Sequence, residues 1–252
     1  MKHRVRRKKK RERVGLIVAT AILIATISVS IFLINSIMNN PSASSPWEPK
    51  AAIVDQLSLT FPNQTFKETA TTILEQAGYT VDYYPNENVT VEFYRNLPIH
   101  GYKVIILRVH STYKGTLFTS DPYSTTRYVA EQLADQIANV AIEEDAPMYF
   151  GIPAAFVTSV MNGNFNQTTI IAMGCSSLKE TTMAEAFIAK GAKVYIGWND
   201  SVLSSHTDTA TTQLLHHLIT QKQTTQQAIT KTTQKTGPDP THNSTLQAYP
   251  TT

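Results

Sequence analysis

Hydrophobic and polar positions divide this chain into three regimes. Residues 1–13 are almost wholly polar, residues 14–38 are apolar and uncharged, and from Ala51 onward short apolar runs alternate with segments of helical period. Runs rich in β-branched residues predict strands at 51–57, 80–84, 102–109, 168–174 and 193–198. Apolar residues three and four apart predict helices at 66–77, closing on Gly78, and at 91–97, 128–142, 156–161, 182–189, 208–219 and 225–233. Residues 116–119 predict a strand or hairpin arm, with Asp121-Pro122 turning the chain. The β-α-β-α-β order of the first half predicts one mainly parallel sheet, covered on both faces. In it, the strands that end at His110 and Cys175 are expected to be neighbours. Residues 236–252, with Pro238, Pro240 and Pro250, predict a flexible tail, and no internal repeat is visible.

The uncharged run from Val14 to Met38 changes the picture from a globular chain to an anchored one. At ~1.5 Å rise per residue it crosses a ~30 Å hydrocarbon core with some tilt. Nine of the 22 Lys and Arg residues precede it, between Lys2 and Arg13. Such a flank predicts a cytoplasmic amino terminus and a single-pass anchor. The rest is then extracytoplasmic: a stalk at 39–50, with Pro41, Pro46 and Pro49, and a domain at 51–235. A cleaved signal peptide is the rival reading, but its apolar region runs ~7–15 residues. Beyond the flank 13 Lys and Arg face 18 Asp and Glu, a net charge of −5, which excludes a nucleic-acid footprint. Five Asn-X-Ser/Thr sequons, at Asn63, Asn88, Asn166, Asn199 and Asn243, agree with an external location as possible glycosylation sites.

Candidate chemistry gathers at two strand ends. Cys175, the single cysteine, follows the apolar run 168–174, and His110 follows the apolar run 102–109. A lone cysteine permits no intramolecular disulfide, and outside the cytoplasm it reads as an intermolecular partner or a reactive thiol. In open α/β sheets, ligands and catalytic groups gather outside the carboxyl ends of the strands. A thiol and an imidazole brought there together form a nucleophile and its base. His206 is an alternative partner for the thiol. His216 and His217 are adjacent, whereas helix-borne metal ligands sit at i and i+4, so no metal site is expected.

The order of these elements resembles the caspase-like cysteine peptidases, a superfamily of caspases, gingipains, separase and CHAT domains. The stretch from Ala184 to Trp198, with a helix, Gly191-Ala192, a strand and a tryptophan, is most similar to the CHAT pattern. The helix bearing Leu214 and Leu215, and then Thr224 to Ile229, continue it. The resemblance implies a three-layer α/β/α sandwich that hydrolyses a peptide or protein substrate through an acyl-enzyme, with no cofactor. It implies Cys175 as nucleophile and His110 as base, with the backbone N–H groups of Ser111 and Cys175 forming the oxyanion hole. It also implies that Asp200, in the loop after Trp198, favours a Lys or Arg substrate residue. Trp198 is expected at the sheet edge. One departure is visible: the family pattern is His-Gly, and this chain has His110-Ser111, whose Cβ is expected to narrow the site. The alternative reading is an inactive domain of this fold serving as a cell-surface binding or scaffolding module.

Overall fold

Strands and covering helices alternate from Lys50 onward. The computed structural model describes residues 48–251. The basic flank, the expected span at 14–38 and most of the expected stalk lie outside the described residues. Among the described residues no helix is long and apolar enough to cross a membrane.

The first half runs β1 (Lys50–Asp55), α1 (Gln64–Gln76), β2 (Thr80–Pro85), α2 (Val91–Asn96) and β3 (Tyr102–Arg108). Asn63 caps α1 through its side chain, which accepts the Phe66 N–H, and Thr90 caps α2 by accepting the Phe93 N–H. A small subdomain follows: β4 (Leu117–Pro122), α3 (Val129–Leu133), β5 (Ala138–Val140), β6 (Tyr149–Ile152) and α4 (Ala154–Ser159). The chain then returns through β7 (Thr168–Ala172), α5 (Thr182–Ala189), β8 (Ala192–Trp198), α6 (Ser204–Leu215), α7 (Thr225–Thr236) and β9 (Leu246–Tyr249).

Six strands form the main sheet in the order β2-β1-β3-β7-β8-β9, all parallel except β9, which runs antiparallel to β8. Helices α1, α6 and α7 cover one face, packing Phe66, Leu74, Leu214 and Ile229 on Ile53, Ile106, Ile171 and Ile196. On the other face Tyr94, Phe156, Phe187 and the subdomain's Phe150 pack on Ile105, Leu107 and Ile170. Burial on both faces explains the unbroken apolar strands, since neither side alternates with polar residues. The strands expected at 51–57, 80–84, 102–109, 168–174 and 193–198 thus form one mainly parallel sheet, with the third and fourth adjacent.

Three expectations are corrected. The helix expected at 128–142 is only the five-residue α3, with Val129 and Leu133 46% and 83% exposed. Tyr128 and Asp135 take left-handed φ values of 54° and 52°, which a continuous helix cannot hold. Residues 138–140 instead pair antiparallel with β6; of the buried residues that suggested a helix, Val140 lies in this strand and Ile137 immediately precedes it. The expected tail ends in β9, whose pairing with β8 completes the sheet. For the same reason Trp198 is interior rather than at the edge: it is 1% exposed and its indole N–H donates to Thr207 at 2.9 Å.

Candidate active site

Strand register brings the two expected groups to one end of the sheet. Between β3 and β7 every partner lies 65 positions further along, from Val104 with Thr169 to Leu107 with Ala172. His110 and Cys175 are separated by the same 65 positions, so each continues its strand to the same end of the sheet. The two-residue alternation then fixes the face. Val104 and Ile106 on β3, and Ile171 and Met173 on β7, face the layer of α1, α6 and α7, and His110 and Cys175 keep that parity. The side chains line one cleft of about 220 Å³ with Leu57, Phe61, Val109, Met173, Val202, Leu203 and Thr207.

Each group is held from several sides. The His110 N–H donates to the Gln56 side-chain oxygen at 3.1 Å, and its carbonyl accepts the Phe118 N–H at 3.0 Å. Its ring meets Phe61 edge-on at 6.0 Å and Phe118 at 5.6 Å. The buried Nε2 has no hydrogen-bond partner among the described residues. Burial disfavours the imidazolium and lowers the pKa of His110. Cys175 is half-buried, with Sγ 3.5 Å from both the N–H and the carbonyl oxygen of Val202. The next residue, Ser176, has a left-handed φ of 51°, a conformation unfavourable to a side chain, and its N–H donates to the Asp200 carbonyl at 2.9 Å. Ser177 ties the loop down by donating to the Ala172 carbonyl at 3.1 Å and accepting the Trp198 N–H at 2.9 Å.

Ser111 answers the departure from His-Gly. Its φ is not in the left-handed region, so the position does not require glycine. Its hydroxyl donates to the Cys175 carbonyl at 2.6 Å, and its alternation turns the side chain away from the cleft. The narrowing expected from its Cβ does not occur, and the hydroxyl instead clasps the cysteine loop. The bridge of Ser111 with Leu117 is of the non-hydrogen-bonded kind, closed by the N–H groups of Thr112 and Phe118. The Ser111 N–H therefore stays outside the ladder, and the Cys175 N–H, beyond the end of β7, makes no backbone hydrogen bond among the described residues.

That clasp explains Gly174. A Cβ there meets the Ser111 hydroxyl oxygen, and the Val109 carbonyl oxygen at 2.6 Å. Gly174→Ala should cost about 1–3 kcal/mol by overpacking, read from urea unfolding. Adding Ser111→Gly should recover part of that cost and not all, because the Val109 carbonyl remains. A cost below ~0.5 kcal/mol would show that the loop yields freely.

The structure does not bring Asp200 into the cleft. Its carboxylate pairs with the Lys179 ammonium at 2.9 Å and accepts the Ser201 N–H at 2.8 Å, and the Lys179 hydrogen bond holds its pKa below the ordinary carboxylate range. His206 packs against Trp198 rather than lining the cleft, and His216 and His217 both bond to Gln221. Of the sequon residues, Asn88, Asn166 and Asn243 are exposed. Asn63 instead donates to the Asp208 carboxylate at 2.8 Å, and Asn199 accepts the Thr245 N–H at 2.8 Å.

Two supports escaped the sequence reading. Arg108, 1% exposed, donates to Asp55 at 2.7 Å, to both Asp208 oxygens at 2.7 and 2.9 Å, and to the Phe61 carbonyl at 2.7 Å. An arginine inside an apolar strand was the available signal, since buried arginines are almost always paired. The second is Asp239, whose carboxylate accepts the N–H groups of Leu203, Thr241 and His242 at 2.8–3.0 Å. With Ser244 donating to the Ser201 carbonyl at 2.6 Å, it fixes the loop after β8 that forms one cleft wall. Gly237-Pro238-Asp239-Pro240 carries this as turn chemistry.

No family model matches the sequence, and neither does any curated protein. Among solved structures the chain is similar to the crystal structure of the Arg-specific cysteine proteinase gingipain R. The likeness has a TM-score of 0.45 at 12% identity and covers 75% of this chain and 43% of that one. The chain thus spans less than half the length of that protein.

Proposed function

We propose that this chain is a caspase-like cysteine peptidase, anchored by residues 14–38 with its catalytic domain outside the cytoplasm. The observation that carries the reading is the shared 65-residue offset, which sets His110 and Cys175 at one end of adjacent parallel strands, on one face and in one cleft. The anchor rests on the uncharged span and its basic flank.

The chemistry follows from the groups present. His110, kept neutral by burial, accepts the Cys175 thiol proton as Sγ attacks the substrate carbonyl carbon. The carbonyl oxygen gains charge and is received by the N–H groups of Ser111 and Cys175. As the tetrahedral species collapses, the C–N bond breaks and the imidazolium returns its proton to the leaving amine. Water, deprotonated by His110, then attacks the thioester, and the acid product and the free thiol are released.

The test is labelling of the full chain, purified in detergent, with a peptidyl acyloxymethyl ketone. Covalent addition at Cys175, located by mass spectrometry and absent from Cys175→Ala, is the expected result. A folded chain whose Cys175 reacts only after denaturation would overturn the peptidase reading in favour of a non-catalytic binding module.

A further inference from the structure

Resting on the peptidase reading, we infer that the cleft beside Cys175 accepts one medium-sized apolar side chain next to the scissile bond, with Leu57, Phe61, Val202 and Leu203 setting that preference. The lining supports it directly. Met173 extends β7, Leu57 and Phe61 come from the segment after β1, and Val202 and Leu203 from the loop after β8. Apart from His110 and Cys175, the polar side chains lining it are Ser204 and Thr207. The Thr207 hydroxyl already accepts the Trp198 indole N–H. Among the described residues no carboxylate or ammonium lines the cleft.

The carboxylates borne by the surrounding elements are all committed elsewhere. Asp55 and Asp208 hold Arg108, Asp200 holds Lys179, and Asp239 accepts three backbone N–H groups. A Lys or Arg side chain entering this space would surrender its hydration with no counter-charge to meet, a cost that an apolar group avoids. Size points the same way. A dry cavity of ~150 Å³ holds a benzene-sized group, so about 220 Å³ suits one Leu, Met or Phe side chain. Burying such a group favours it by about tenfold to a hundredfold.

The experiment uses a matched set of peptidyl acyloxymethyl ketones that differ only in the residue next to the ketone: Leu, Met, Phe, Asp, Lys or Arg. The second-order rate of Cys175 labelling is measured on the full chain in detergent. The Leu, Met and Phe probes should react about ten- to a hundredfold faster than the Asp, Lys and Arg probes. Leu203 is 38% exposed, so Leu203→Glu alters the rim without emptying the core, and it should shift the Lys-to-Leu rate ratio at least tenfold towards Lys. Faster labelling by the Lys or Arg probes, abolished by Asp200→Asn, would overturn the inference and leave the peptidase reading standing. A flat profile across the set would overturn it equally. Failure of every probe on a folded chain would instead remove the peptidase reading itself.

Discussion

Arg108→Met is expected to destabilise the folded domain by about 3–5 kcal/mol, measured by urea unfolding of the full chain. The guanidinium is 1% exposed, and its two carboxylate partners are 3% and 5% exposed. Removing it strands two buried negative charges, each still desolvated, and frees the Phe61 carbonyl that it also holds. Removing one partner of a buried ion cluster is far costlier than removing all of it, because the penalty lies in the uncompensated charge. Asp55→Leu/Arg108→Met/Asp208→Leu should therefore recover much of the stability lost by Arg108→Met. The recovery stays incomplete, since the Tyr83 hydroxyl and the Asn63 amide lose acceptors at 3.0 and 2.8 Å. A loss below ~1 kcal/mol in Arg108→Met would mean that water reaches the cluster. The single substitution should also loosen the cleft, because Arg108 joins β3 to β1, to the Phe61 loop and to α6, three of its walls.

What the sequence conveyed, and what it did not, follows from where the deciding interaction sits. The five parallel strands were legible because both sheet faces are buried, leaving runs such as Val104 to Leu107 with no polar interruption. The adjacency of the His110 and Cys175 strands was legible as an equal spacing, since parallel pairing conserves the offset along the ladder. The stretch 128–142 was misread because Ile137 and Val140 suit a helix face as well as a short strand. The choice between them was made by β6, a partner remote in sequence. The final segment was misread because glycines and prolines mark a break in regular structure but not its end. Asp239 and Ser244 reveal their role only beside the loop after β8. Asp200 looked available for a basic substrate residue because nothing local in the sequence shows that Lys179 reaches it.

His110→Ala should lower kcat/KM for a peptide substrate by about 10²–10⁴-fold, the usual contribution of a positioned general base. The pH profile supplies the sign. Burial lowers the pKa of His110, so the neutral, proton-accepting form persists below the ordinary histidine value of about 6.5. Activity in the wild type should accordingly hold as pH falls past that value, and be lost only as the imidazole protonates below it. In His110→Ala that acid limb should vanish, because no base remains there to be protonated. Added imidazole should restore part of the rate, since truncation leaves space between Phe61 and Phe118, the rings that flank the histidine. A residue that only fills space would lower activity through the fold, and free imidazole would not return it in proportion to its concentration. Retention of the acid limb in His110→Ala would assign the base to another group and remove His110 from the chemistry, while Cys175→Ala would still report whether the thiol is the nucleophile.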